Sequence, residues 1–248
     1  MAHSRTKQRL VRWLQYCLFA IVSGGLAMSA MAAAPAAPRA WPTLSKVDDR
    51  SKIAPRANDA RICFCLYTVQ DRILKLSAQL YPLMADDPHQ VTLEIERDGA
   101  WQEIATAPVH RTGWTATFRV EDWDTTRDVR YRVRHALGSS YGGTVRHDPV
   151  EKPVIVAAAF TGNSPGPGGG KISKRDVVDS ILQLDPDVLF FTGDQVYPHF
   201  THTENWLAFG ELFGDATRDR PTVCLPDDHD VGQPNLWGGG GRPVPTDV

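Results

Sequence analysis

Two short segments of this chain carry residues whose types and spacing suit chemistry: Thr192-Gly193-Asp194-Gln195-Val196-Tyr197 and Asp227-Asp228-His229-Asp230. Asp194 and Tyr197 stand one helical turn apart and can share a face. A carboxylate and a phenolate together suit a hard trivalent ion such as Fe³⁺, whose charge can keep the phenol deprotonated. Taken alone, Asp194 reads better as a helix N-cap. In the second segment three carboxylates surround a histidine, and they repel one another unless cations or helix amides compensate. A solvated acidic turn is the plain alternative. Both segments together make a two-metal cradle the better reading. His199 and His202 have ligand-like spacing, but a solvent-facing loop position is favoured for both.

The elements that must hold these residues follow from the hydrophobic pattern. Val154–Phe160 is a continuous apolar run, which predicts a strand buried on both faces. Val177, Val178, Ile181, Leu182 and Leu184 fall on one helical stripe, ended by Asp185-Pro186. Asp187–Phe191 predicts a second buried strand, Asn205–Phe213 a helix, and Pro221–Pro226 a third strand. Strand, helix and strand in that order predict a parallel sheet, with functional residues just beyond the carboxyl ends of its strands. Between the first strand and its helix, Pro165–Ser173 imitates a nucleotide-binding loop. It fails in detail, because Pro165 replaces the first glycine and Ile172 the Mg²⁺-binding hydroxyl. A flexible loop over a site is the better reading.

Residues 61–150 follow a different pattern. Ile73–Leu80, Val91–Arg97, Trp101–Ala105, Thr115–Val120 and Val129–His135 alternate or are rich in β-branched and aromatic residues, and Asp98-Gly99 is a hairpin signal. Short strands at this spacing predict a β-sandwich of immunoglobulin or fibronectin kind. Trp114 and Trp123 could serve as sugar-stacking platforms, although core packing is the favoured assignment. Cys63 and Cys65, two apart in Ile62–Tyr67, are expected on one strand face as small buried hydrophobes without a bridge.

The 248 residues carry 27 Lys+Arg against 29 Asp+Glu and only 4 cysteines. This balance excludes a polybasic nucleic-acid coat, a disordered acidic tail and a disulfide scaffold as the main theme. Arg5, Lys7, Arg9 and Arg12 precede an apolar stretch from Trp13 to Ala30, and Ala30-Met31-Ala32 supplies small residues at −3 and −1. That is a secretory signal cleaved after Ala32. An uncleaved anchor is disfavoured because Ser23-Gly24-Gly25 interrupts a stretch near the minimum span. Cleavage removes four positive charges and leaves an acidic exported chain with no nucleic-acid-binding signature and no stable membrane span. Residues 33–60, rich in Ala, Pro and charge, read as a linker.

Phe191–Tyr197 and Leu225–Val231, followed by Asn235-Leu236-Trp237-Gly238, resemble the alkaline phosphatase D family of calcineurin-like metallophosphoesterases. That family also places a β-sandwich before its catalytic domain, so the resemblance covers most of residues 60–248. It implies an α+β, two-domain chain: a signal peptide (1–32), a linker (33–60), an immunoglobulin/fibronectin-like β-sandwich (61–150) and the first half of a calcineurin-like α/β domain (151–248). By the same resemblance, Asp194 would bridge two metals and Tyr197 would bind a ferric ion. Asp228 would ligate the second metal, and His229 would face the substrate, stabilising the transition state or protonating the leaving oxygen. The activity implied is hydrolysis of small phosphate mono- or diesters outside the cytoplasm, with Fe³⁺ and Ca²⁺ or another divalent metal.

Two departures accompany the resemblance. The family places a cysteine or aspartate after the first strand, where this chain offers Thr161 and Asn163, and Asn163 would ligate through its carbonyl oxygen. The family's remaining ligands are histidines in a carboxyl-terminal half, whereas the 18 residues after Asp230 contain none. The expectation is therefore a truncated form. The rival reading is a non-catalytic extracytoplasmic binding protein built on the β-sandwich.

Overall fold

The structure is a computed structural model that describes residues 53–163, 174–197 and 201–230. Its first seven strands form two antiparallel sheets. β1 (Ile62–Gln70), β2 (Ile73–Leu80) and β5 (Thr115–Val120) make a sheet of order β1-β2-β5. β3 (Gln90–Arg97), β4 (Ala100–Pro108), β6 (Val129–His135) and β7 (Ser140–Val145) make a second, of order β4-β3-β6-β7. Asp71-Arg72 joins β1 to β2 and Asp98-Gly99 joins β3 to β4, each pair with positive φ at both residues. That backbone matches the right-handed twist of paired strands.

Leu74 and Leu76 from the first sheet share one core with Val91, Leu93 and Val133 from the second. Tyr67 meets Tyr131 edge to face between the sheets, with ring centroids 6.2 Å apart. Trp123 is buried in this core and Trp114 packs against it, so both tryptophans do the packing work favoured for them.

The cysteine expectation is corrected. The β1–β2 register shifts between Ile62 and Phe64, so Cys63 is the extra residue of a β-bulge. The bulge resets the alternation: Cys65 lies in the core between the sheets, whereas the Cys63 thiol reaches the carbonyl of Leu207, 3.6 Å away on the outer side. The two thiols face opposite ways, and Cys63, Cys65 and Cys224 are all free.

A parallel sheet follows, of order β10-β9-β8, from β8 (Ala157–Phe160), β9 (Val188–Phe191) and β10 (Thr222–Cys224). Helix α1 (Lys174–Leu184) lies between β8 and β9 in the chain, and α2 (His202–Thr217) between β9 and β10. Val178 and Ile181 of α1 and Phe209 and Phe213 of α2 close a second core around Leu189 and Phe191. The β8 strand is shorter than the apolar run promised, and Val154 and Ile155 are 69% and 51% exposed. Pairing with β9 begins only at Ala157↔Val188. Upstream, Val156 is held through Asp187, whose carboxylate accepts from the Val156 amide and whose own amide donates to the Val156 carbonyl, both at 2.8 Å.

Helix α2 also packs on the outer face of β1, where Phe64 meets Trp206 and Phe209 edge-on at 5.4 and 6.4 Å. Gly210 makes this possible, since a Cβ there would lie 1.9 Å from the Phe64 ring. The described residues belong to one compact unit. No described helix is long and apolar enough to cross a membrane; the expected signal peptide (1–32) and residues 33–52 of the expected linker (33–60) lie outside the described residues.

Candidate metal centre

The parallel sheet brings its loops together because β9 is paired on both sides. Thr222↔Leu189 through Cys224↔Phe191 set β10 beside β9, so the two acidic segments leave neighbouring strand ends. The chain turns sharply after β9, where Gly193 has φ +116° and Asp194 φ +58°. Only glycine takes the first of these readily, and aspartate is among the residues that tolerate the second. Space requires the glycine as well, for a Cβ at 193 would sit 2.4 Å from the Cβ of Asp227. The two loops are in van der Waals contact at this point.

Asp230 ties them together. Its buried carboxylate accepts from the amide of Asp194 (2.6 Å), the amide of Val196 (3.0 Å) and the amide of Asp227 (3.0 Å). With three amide donors the charge is solvated by the backbone. In the sequence Asp230 is merely the third acid of a cluster, so no signal there separates its structural task from the tasks of its neighbours.

With the loops fixed, Asp194, Asp228 and His229 each offer a ligand atom within 4.8 Å of the other two. One oxygen of Asp194, Oδ2, accepts from the Tyr197 hydroxyl at 2.5 Å. The other, Oδ1, is buried without a hydrogen-bond partner. Tyr197 lies against His229 with ring centroids 4.1 Å apart and planes inclined by 35°. Burial pushes the Tyr197 phenol well above its ordinary pKa. The bond to Asp194 and the charges of Asp194, Asp228 and Asp230 push it the same way. The phenol is thus protonated and donates to Asp194 when no cation is present.

This donor set fits a metal ion. An orphaned buried carboxylate oxygen is costly unless a cation or donor meets it. Two carboxylates, an imidazole and a phenol around it are hard and borderline donors suited to such a cation.

Asn163 lies beside these groups through its backbone, donating its amide N–H to the Asp194 carbonyl at 2.7 Å. Its side-chain Nδ2 donates to the Gln195 carbonyl at 3.3 Å, and Thr161 is exposed. His202 is the first residue of α2. His199 and the glycine-rich loop up to Ser173 lie outside the described residues.

No protein-family model matches the chain, and no curated protein matches it. Solved structures do. One is PhoD, with a TM-score of 0.58 and 13% identity over 73% of this chain and 41% of PhoD. Another is the purple acid phosphatase PPD1 from yellow lupin (Lupinus luteus) seeds, with a TM-score of 0.53 and 15% identity over 74% of this chain and 39% of that one. The chain spans about two fifths of the length of these two neighbours. Both likenesses are likenesses of fold.

Proposed function

We propose that this chain, whose fold is the PhoD-like, calcineurin-like phosphoesterase fold, supplies the metal-holding loops of an exported phosphate-ester hydrolase. The observation that carries the reading is the buried, unpartnered Oδ1 of Asp194, within reach of Asp228 and His229 at the carboxyl edge of a parallel sheet. Asp194, Tyr197 and Asp228 would hold the metal, a ferric ion with a divalent ion such as Ca²⁺, and the Asn163 side-chain oxygen is the further candidate. Bound metal ions would neutralise charge developing on the phosphoryl oxygens and acidify the attacking water.

The remaining steps belong to the chain's own side chains. His229 protonates the leaving oxygen of the ester as a general acid. Tyr197 fixes the His229 ring by packing against it, and before metal is bound its hydroxyl orients the Asp194 carboxylate. Asp230 touches no substrate; it holds both loops in register. The substrates are small phosphate mono- or diesters.

The two antiparallel sheets support an immunoglobulin/fibronectin-like sandwich over residues 61–150. Their strand order is that of an immunoglobulin domain with the fourth strand moved to the opposite sheet. The phosphoesterase half then runs from 151 onward, with the signal peptide directing export.

The test is metal content and turnover of bis-p-nitrophenyl phosphate, for the chain and for Asp194→Ala. The reading expects the variant to lose both. A variant that keeps its metal and whatever function the chain displays would favour the binding-protein reading and overturn this one.

A further inference from the structure

Two adjoining cavities flank the wall formed by Asn163, Lys174 and Gln195. The larger, about 400 Å³, is lined on its far side by Phe160, Val177, Phe191 and Phe213. The smaller, about 210 Å³, includes Tyr197, Asn205, Phe209 and Leu212. Tyr197 is also the residue whose hydroxyl meets Asp194, so the smaller cavity adjoins the candidate metal centre.

The wall carries two donors without an acidic partner. Gln195 is only 4% exposed, yet its Nε2 has no hydrogen-bond partner. The Lys174 ammonium donates to the Asn163 carbonyl at 2.7 Å, and among the described residues no carboxylate is paired with it. A buried amide donor left unmet is costly; one acceptor carrying negative charge would satisfy it and pair the half-buried lysine. The apolar lining on the far side fits the hydrocarbon body of the same ligand.

Resting on the hydrolase reading above, we propose that this wall is a substrate subsite beyond the reacting phosphate. It selects esters whose non-reacting part is an apolar, aromatic-sized body bearing a second anionic group. The anion is met by Lys174 and Gln195, and the body enters the larger cavity.

The experiment has two arms. In the first, benzoate is titrated into the metal-free protein by calorimetry, for the unmodified chain and for Lys174→Gln and Gln195→Glu. Binding is expected for the unmodified chain, weakened about tenfold or more by either substitution, the size of a lost charge-assisted hydrogen bond. No binding, or equal binding by all three, overturns the subsite. In the second arm, kcat/KM for the 2-phosphate ester of 3-phenyllactate, whose carboxylate lies between the phosphate and the ring, is compared with that for 2-phenylethyl phosphate, which lacks the carboxylate. The unmodified chain should prefer the carboxylated ester, and both variants should lose the preference. Equal values in the unmodified chain overturn the subsite and leave the hydrolase reading standing. No turnover of either ester, with benzoate binding still dependent on Lys174, overturns the hydrolase reading and leaves the anion site standing.

Discussion

The carboxylate of Asp230 accepts a 2.6 Å hydrogen bond from the backbone amide of Asp194, across the gap between two loops that leave neighbouring strands. The same carboxylate takes the amides of Val196 and Asp227. One buried side chain therefore sets where Asp194 presents its oxygens and where Asp228 and His229 begin.

Replacing Asp230 should damage the loops in proportion to the acceptors removed. Asp230→Ala leaves three amides without their acceptor, one buried and two part-buried, and is expected to cost about 3 kcal/mol of unfolding free energy, with Asp230→Asn costing roughly half, since one acceptor oxygen remains. Urea denaturation gives the first readout and metal uptake the second. An alanine variant with an unchanged midpoint would show that the bonds add nothing.

Gly193 has to satisfy both a backbone angle and a steric limit. Gly99 provides the control, because it also has a positive φ (+77°) but nothing within 4 Å of an added Cβ. Gly99→Ala should cost about 1 kcal/mol for the backbone alone. Gly193→Ala should cost clearly more, since its Cβ would strike Asp227. It should also weaken metal binding by pushing the loops apart. Equal unfolding midpoints for the two variants would remove the steric argument.

Much of this arrangement was legible in the sequence, and the gaps have physical reasons. Ile73–Leu80, Thr115–Val120 and Val129–His135 emerge with the bounds their alternation indicated, because strands with one buried face leave a period of two. Strand β7 left no such trace. Gly142 and Gly143 weaken its pattern, yet they belong there: a Cβ at Gly143 would lie 2.2 Å from the Arg218 carbonyl. Helix α2 runs past its expected end at Phe213 because Gly214 sits under Tyr141, whose hydroxyl donates to the Gly214 carbonyl. The bulge at Cys63 was hidden because an inserted residue changes register, not composition. At the candidate site, the residue types singled out Asp194, Tyr197, Asp228 and His229, which the structure brings together. The buried roles of Asp230 and Gln195 depend on what packs over them, and single positions do not encode that.

The His147 cluster sets a pH dependence of stability. Its Nδ1 lies 2.6 Å from Asp128 and its Nε2 3.3 Å from Glu151. Asp128 first and Glu151 second raise the imidazole pKa. A raised pKa in the folded state means stabilisation fully present below the ordinary value of about 6.5 and lost as pH climbs through the folded one. Asp128 shifts the other way, lowered first by the His147 amide and then by the ring. Its contribution is present above about 3.9 and fades as pH falls through its folded value. The unfolding free energy of the protein minus that of His147→Gln should therefore be larger at pH 5.5 than at pH 8.5. A difference that is flat or larger at pH 8.5 would contradict the ion-pair account.

The three described thiols should be silent in the folded protein. Burial raises Cys63 to about 11 and Cys224 to about 12, and it raises fully buried Cys65 further still. Thiolate is the reactive form, so at pH 8 roughly one Cys63 in a thousand is competent even before access is considered. The bulge adds a geometric barrier, since Cys63 faces α2 and Cys65 faces the core between the sheets, which leaves no bridge between them without unfolding β1. Iodoacetamide at pH 8, read peptide by peptide in a mass spectrometer, should leave all three unlabelled in buffer and label all three in urea. Rapid labelling of Cys65 in buffer, or a Cys63–Cys65 disulfide in the native protein, would mean that β1 does not hold this register in solution.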